Sequence, residues 1–201
     1  TAAATVTFTA NAVDITNLTI YTFSAQSIGT AAASRIVVVA TSTSNDIAVS
    51  TLTVGGVSAS RAVTGGDASA TVELWQAAVP TETTADIVVT YAAGNGACGI
   101  GVWAMYGASS VVSDTLTSAA NPGTGTIDVP AGGICIGGAA SVTITAHGWA
   151  GITEDFEQAF GEADRRHSGA SLAFAAQQVG ITLTVTYTGT DDGSSMAAAF
   201  S

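Results

Sequence analysis

Two histidines, two cysteines and one dense charged stretch are the residues of this chain best suited to chemistry. A histidine works as a general base only beside a nucleophile or an orienting carboxylate, and the spacing around His147 and His167 supplies neither. Cys98 and Cys135 each lie in an apolar alternating run, where a thiol behaves as a small hydrophobe. Two cysteines are too few for the disulfide framework of a small secreted domain, so they read as buried thiols, with a single bridge as the alternative. The chain has no G-x-S-x-G elbow, H-E-x-x-H, phosphate loop, C-x-x-C or EF-hand pattern. The expectation is a protein that is not an enzyme, with no catalytic residue, no cofactor and no metal.

The charged stretch comprises Glu154, Asp155, Glu157, Glu162, Asp164, Arg165, Arg166 and His167, which puts seven of the nineteen charged residues into fourteen positions. As a functional surface it would be a glycan- or partner-facing loop, in which carboxylates and guanidinium groups bond hydroxyls and the nearby Trp149 offers a flat stacking face. As a structural feature it is a solvated helix and loop whose ion pairs are worth little. A surface contact is therefore expected at Trp149, Asp155, Arg165, Arg166 and His167. Glu154 and Asp155 resemble a glycosidase pair only in type, since adjacent residues of a helix point in different directions. Asp191-Asp192 could ligate calcium, but Asp-Asp-Gly is first of all a turn. Asn17-Leu18-Thr19 matches a glycosylation sequon.

The elements that must position these residues are strands. Thirteen short β-branched runs, from Thr5–Thr9 to Ser195–Phe200, alternate with turn signals such as Gly55-Gly56, Gly65-Gly66-Asp67, Gly94-Asn95-Gly96 and Asp192-Gly193. Val54-Gly55-Gly56-Val57 reads as a tight hairpin. Ile36 to Val39 is apolar on both faces and predicts a central, doubly covered strand, whereas Leu183, Val185 and Tyr187 share one face opposite the threonines between them. Trp75 and Trp103 fall inside apolar strands and belong to the core; Trp149 falls in a loop and is expected to be exposed.

One segment departs from this pattern. Residues 151–161 offer a Thr N-cap, acids in the first turn, Phe156, Ala159 and Phe160 at helical spacing and a closing Gly, which predicts a helix of about two turns inserted in a loop. A faint internal echo links Leu74 to Ala78, Tyr91 and the strand around Val102 with Leu172 to Ala176, Tyr187 and the strand around Ala198. It reads either as a duplicated half-sandwich or as chance agreement among Ala-, Thr- and Val-rich strands. The fold class is thus all-β, a jelly roll or β-sandwich with one inserted helix. A single domain over residues 1–201 is expected, with residues 1–20 an N-terminal arm or accessory strand. Thirteen runs exceed the eight strands of one jelly roll, so some are expected to be short or accessory.

Composition sets the partners. Hydrophobic residues make up 47% and charged residues 9%, so solubility rests on Thr, Ser, Asn and backbone groups. A net charge of −11, with four Arg and no Lys, excludes nucleic acid, whose phosphates need clustered cations, and disfavours anionic membranes. The charge-free stretch from Ile87 to Ser113 is broken by six glycine and asparagine residues and fits two strands better than a membrane helix. Thr1 is followed by no basic and apolar leader pattern.

The runs Tyr21-Thr22-Phe23, Ser27-Ile28-Gly29-Thr30-Ala31, Arg35-Ile36-Val37-Val38-Val39, Leu52-Thr53-Val54-Gly55-Gly56-Val57, Ile127-Asp128-Val129-Pro130-Ala131-Gly132-Gly133 and His167-Ser168-Gly169-Ala170-Ser171 resemble virion structural proteins of tailed bacteriophages and gene-transfer agents. The likeness covers residues 21–201 and rests on strand and turn motifs. It implies a jelly-roll domain on the particle surface, as a head decoration protein, capsid fibre or spike, or tail-fibre module. Its partners would be other capsid or tail proteins, further copies of itself, with three-fold assembly the first expectation, and a host-surface glycan. It would be located in the virion after assembly in the host cytoplasm. A carbohydrate-binding β-sandwich of a secreted adhesin or enzyme is the alternative of the same fold class.

Overall fold

A computed structural model describes residues 4–43, 45–66, 70–143, 146–161, 165–189 and 193–201. The first half of the chain forms β1 (Thr5–Asp14), β2 (Leu18–Ser27), β3 (Ile36–Thr43), β4 (Val49–Val54), β5 (Val57–Ser58), β6 (Ser60–Gly66), β7 (Thr71–Ala78), β8 (Thr84–Asn95) and β9 (Cys98–Tyr106). The second half forms β10 (Val112–Ser118), β11 (Gly123–Val129), β12 (Ile134–Ser141), β13 (His147–Ala150), β14 (Thr153–Ala159), β15 (Arg166–Ala173), β16 (Gln178–Tyr187) and β17 (Gly193–Phe200). All pairings between them are antiparallel.

The halves have one strand order. An inner sheet runs β1-β9-β3-β7-β6 in the first half and β10-β17-β12-β15-β14 in the second, and an outer sheet runs β2-β8-β4-β5 and β11-β16-β13. Every strand of the second half has a counterpart in the first, and only β5 lacks one in return. The echo in the sequence falls on equivalent strands, with Tyr91 opposite Val49 and Tyr187 opposite His147 at matching ends of β8 and β16. The repeated unit is a whole two-sheet sandwich, not half of one. That also accounts for the surplus of strand-like runs.

Four layers result, outer–inner–inner–outer, because each inner sheet is apolar on both faces and needs cover on both. Every residue of β3, β12 and β17 is buried. Val37, Val39 and Ile100 pack towards the first outer sheet against Leu52, Ile87 and Val89, and Cys135, Ala197 and Ala199 pack towards the second against Ile127 and Leu183. The opposite faces meet in a shared central core that includes Val38, Leu74, Trp103, Ile136, Met196 and Phe200. Within it β3 lies on β12, β7 on β17 and β9 on β15, so equivalent strands contact reciprocally, as an approximate two-fold axis requires. Phe8 on β1 stacks on Phe156 of β14, with ring centroids 5.2 Å apart.

Glycine makes this approach possible. A Cβ on Gly101 would stand 2.4 Å from the Phe156 ring, one on Gly169 2.5 Å from the Trp103 ring, and one on Gly138 3.2 Å from Val72 Cγ2. Large rings of one half thus occupy space that the other half leaves open. At the sandwich ends, Arg35 is buried and its guanidinium donates to the carbonyls of Val79 and Gly29, both at 2.7 Å, and of Thr81. This one side chain ties the β2–β3 and β7–β8 connections together.

The predicted helix is absent; the segment is strand β14, paired with β15. The pairing shifts register at a bulge between Glu154 and Phe156 and is regular from Phe156 to Ala159; Phe156 and Phe160, both buried, stand four residues apart, a spacing that strand alternation and a helix share. Residues 5–14 form not a loose arm but an edge strand held along β9. The Val54–Val57 hairpin forms, with Gly55 and Gly56 at φ 58° and 78°, as does the buried β3, and Trp75 and Trp103 are core. Leu183, Val185 and Tyr187 are buried, and Thr182, Thr184 and Thr186 line the other face of β16. Asp67, Glu162, Asp164, Asp191 and Asp192 lie outside the described residues, so the calcium candidate does too.

Gly169→Ala tests the interlock. Its Cβ would meet two buried rings that cannot retreat, and overpacking of this kind costs about 1–3 kcal/mol. The expected outcome is a Tm lowered by several degrees with one cooperative transition retained, measured by calorimetry.

Candidate functional site

The hairpin β14–β15 carries most of the charged stretch, and its turn is closed by the Phe160 N–H on the Arg165 carbonyl at 3.0 Å. Strand alternation sends its side chains to both faces instead of gathering them on one. His167 points inward and is 1% exposed. Its ring meets Phe156 and Phe160 edge-on at 5.1 and 5.3 Å and lies over Gly99 of β9, where a Cβ would come within 2.7 Å of it. The bulged Asp155 accepts hydrogen bonds from Trp103 Nε1 and Ser171 Oγ, each at 2.7 Å. Burial raises its carboxyl pKa, against the lowering effect of those two donors. It is a strut between the halves.

Trp149 is not in an exposed loop. It is half-buried on β13, its indole fills the space above Gly137, and its Nε1 donates to Ser168 Oγ at 2.9 Å. Arg166 Nη1 stands 3.4 Å from Glu157 Oε1, both partly exposed, an arrangement worth little in stability. Arg165 is half-buried at the turn. The five predicted contact residues are therefore close in sequence but divided in space: His167 in the central core, Asp155 at its rim, Trp149 in the outer sheet and the two arginines at the hairpin, all but His167 partly exposed.

The structure assembles a polar cluster that linear spacing conceals. His147 Nε2 lies 2.6 Å from Ser141 Oγ, and its Nδ1 lies 2.8 Å from Ser168 Oγ, which also accepts from Trp149. Tyr187 meets the imidazole edge-on at 5.0 Å. The order Ser–His–Ser is that of a nucleophile, a base and an orienting group. Access is what it lacks: Ser141 is fully buried, Ser168 is 1% and His147 7% exposed. A nucleophile must reach a carbonyl and have donors waiting for the oxyanion. Here the three residues pin the end of β12 and β15 to β13. The register Ala139↔Ser168 brings them together across 27 residues, and nothing in local sequence signals it.

Elsewhere, a shallow groove of about 230 Å³ at the β5–β6 corner is lined by Ile36, Ser58, Gln76 and Ser110, without titratable groups. Among the described residues no three His, Cys, Asp or Glu side chains converge as metal ligands. Both cysteines are free and buried, Cys98 in the first sandwich core and Cys135 in the second, with two sheets between them. Burial pushes each thiol up to about 12. No family model and no curated protein matches this chain.

Two expected outcomes follow from burial. The thiols should resist a disulfide-exchange reagent in the folded protein and react fully in denaturant, with no mass change on reduction; fast labelling of the native chain would contradict the placement. The imidazoles carry the pH dependence. Burial lowers His147 and His167 from 6.5 to about 3, aided by Arg166 and by His147 respectively. The unfolded chain protonates near 6.5 and the folded chain only near 3, so the stability is complete above 6.5 and is lost as pH falls through that window. Asp155, with its raised pKa, works in the opposite direction. The slope of Tm against pH between about 7 and 4 should be shallower in His167→Phe than in the parent, whatever the variant's absolute Tm.

Proposed function

We propose that this chain is a non-enzymatic structural protein on the surface of a tailed-bacteriophage-type virion: a head decoration protein, a capsid fibre or spike, or a tail-fibre module. The observation that supports this reading is nested pairing, repeated. In the first half β1 pairs with β9, β2 with β8 and β3 with β7; in the second β10 pairs with β17, β11 with β16 and β12 with β15. A long hairpin rolled up on itself pairs its strands in this order, outermost in sequence first. We read each half as a jelly roll, a fold common in capsid and lectin domains.

The chemistry of the interior agrees with an inert role. Both thiols, both histidines and the Ser141–His147–Ser168 cluster are sealed from solvent. Four layers that share one core give a rigid block, and particle surfaces are built from many copies of such blocks. Its partners are capsid or tail proteins and other copies of itself.

Mass spectrometry of particles purified from cells that encode the chain tests the proposal. The protein should be present in a fixed ratio to the major capsid or tail protein and should stay with the particles through a density gradient. Its absence from intact particles, with the protein abundant in the lysate, would overturn the reading.

A further inference from the structure

Sheet edges present unpaired hydrogen-bonding lanes, and soluble proteins blunt them with charge, shortness or bulges. The eight edges formed by the described residues are not treated alike. β1, β6, β10, β11 and β14 carry Asp14, Arg61, Asp114, Asp128 and the Glu154–Glu157 acids respectively, and β5 and β13 have two and four residues. β2 alone is both long, at ten residues, and free of charge. Bulges flank its middle, between Leu18 and Ile20 and between Phe23 and Gln26, and leave Ile20–Phe23 regular.

The end of this edge displays apolar side chains that the fold does not require. Ile15, Leu18 and Ile20 are 64%, 38% and 55% exposed. The equivalent turn of the second half, before β11, reads Ser118-Ala119-Ala120-Asn121-Pro122 and presents no large apolar group. The same fold is therefore built without such a patch. Nor is the patch a frayed end: the buried Tyr21 hydroxyl sits between the Thr16 and Asn95 carbonyls, either of which can take its proton, and accepts the Leu18 N–H at 3.3 Å. Asp14 and Asp86, the acids at either end of β2, are engaged by the backbone N–H groups of Thr16 and Ala25.

We propose that β2 is a docking edge for a second copy of this chain, paired antiparallel about a two-fold axis. An antiparallel edge is complementary to itself, since two-fold rotation sets each donor against an acceptor. Two copies at net charge −11 repel, and the long edge without charge is where they approach at least cost. The two four-stranded outer sheets join into one of eight, and Ile15, Leu18 and Ile20 are covered at the junction. The inference is independent of the virion reading and puts a two-fold contact where three-fold assembly was the first expectation.

Sedimentation or light scattering over a concentration series tests it, with Ile20→Asp as the variant and Val179→Asp, at a 74% exposed apolar site on the second half, as the control. The parent and V179D should form a dimer that tightens with added salt as repulsion is screened, and I20D should weaken it by at least about tenfold with Tm unchanged when both are measured at concentrations where they are monomeric. Hydrogen exchange on the parent keeps the test open if I20D fails to fold: β2 amides should gain protection as concentration rises. A parent that stays monomeric, a dimer indifferent to I20D, protection gained elsewhere but not on β2, or a dimer dissolved by salt would each overturn the proposal.

Discussion

A sheet that is apolar on both faces cannot stop at a two-layer sandwich. The outer sheets each cover one side of their inner sheet and turn threonine and serine to water, but the other side of each inner sheet remains bare until the halves meet. Burial at about 25 cal/mol per Å² of apolar surface makes that exposure untenable for a sheet of five strands. The central core is thus the constraint from which the four layers, the approximate two-fold axis and the low charge content follow. Where two pleated surfaces press this closely, side chains need vacancies opposite them, and Gly101, Gly138 and Gly169 supply these for Phe156, Val72 and Trp103.

Polar groups trapped by this packing are handled at the margins. Trp103 crosses the central core and meets Asp155 at its rim. Arg35 gives its protons to three carbonyls and forms no ion pair among the described residues, which suits a cation that organises two loops. Glu73, 1% exposed, is met by Arg61 at 3.1 Å, by Trp75 Nε1 at 2.7 Å and by Thr64 at 3.3 Å, and the Arg61 guanidinium lies over the Trp75 ring. A carboxylate withdrawn from water needs that many donors.

Much of the fold was legible in residue patterns because strands report themselves by period-two burial and by turn chemistry. β3, β16 and the Gly55-Gly56 hairpin are cases where local signals and tertiary demands agree. β14 is the case where they differ. Phe156 and Phe160 are four apart, a spacing that puts two residues on one face of a strand and of a helix alike, and only the pairing with β15 decides between them. The site was less legible still. Charge density marked the β14–β15 hairpin, but a strand distributes its neighbours to opposite faces, so His167 and Arg166 lie on opposite sides of the same sheet. Ser141, His147 and Ser168 were invisible for the complementary reason, since only strand register makes them neighbours.

The duplication separates what the fold demands from what a given residue contributes. When β3 and β12 are matched from their first residues, Thr41 and Ala139 coincide, and so do their partners Glu73 and Ser168. At that one place each half buries an oxygen that accepts an indole N–H, yet the indole comes from Trp75 on the same strand in the first half and from Trp149 on the outer sheet in the second. The chemistry around the acceptor differs just as much: a carboxylate recruits a cation, while a hydroxyl tolerates a neutral imidazole. What repeats is a buried acceptor at this point of the inner sheet; its partners lie within that sheet in the first half and reach the outer sheet only in the second. The apolar turn before β2 has no counterpart, and the second half folds in the same strand order without one.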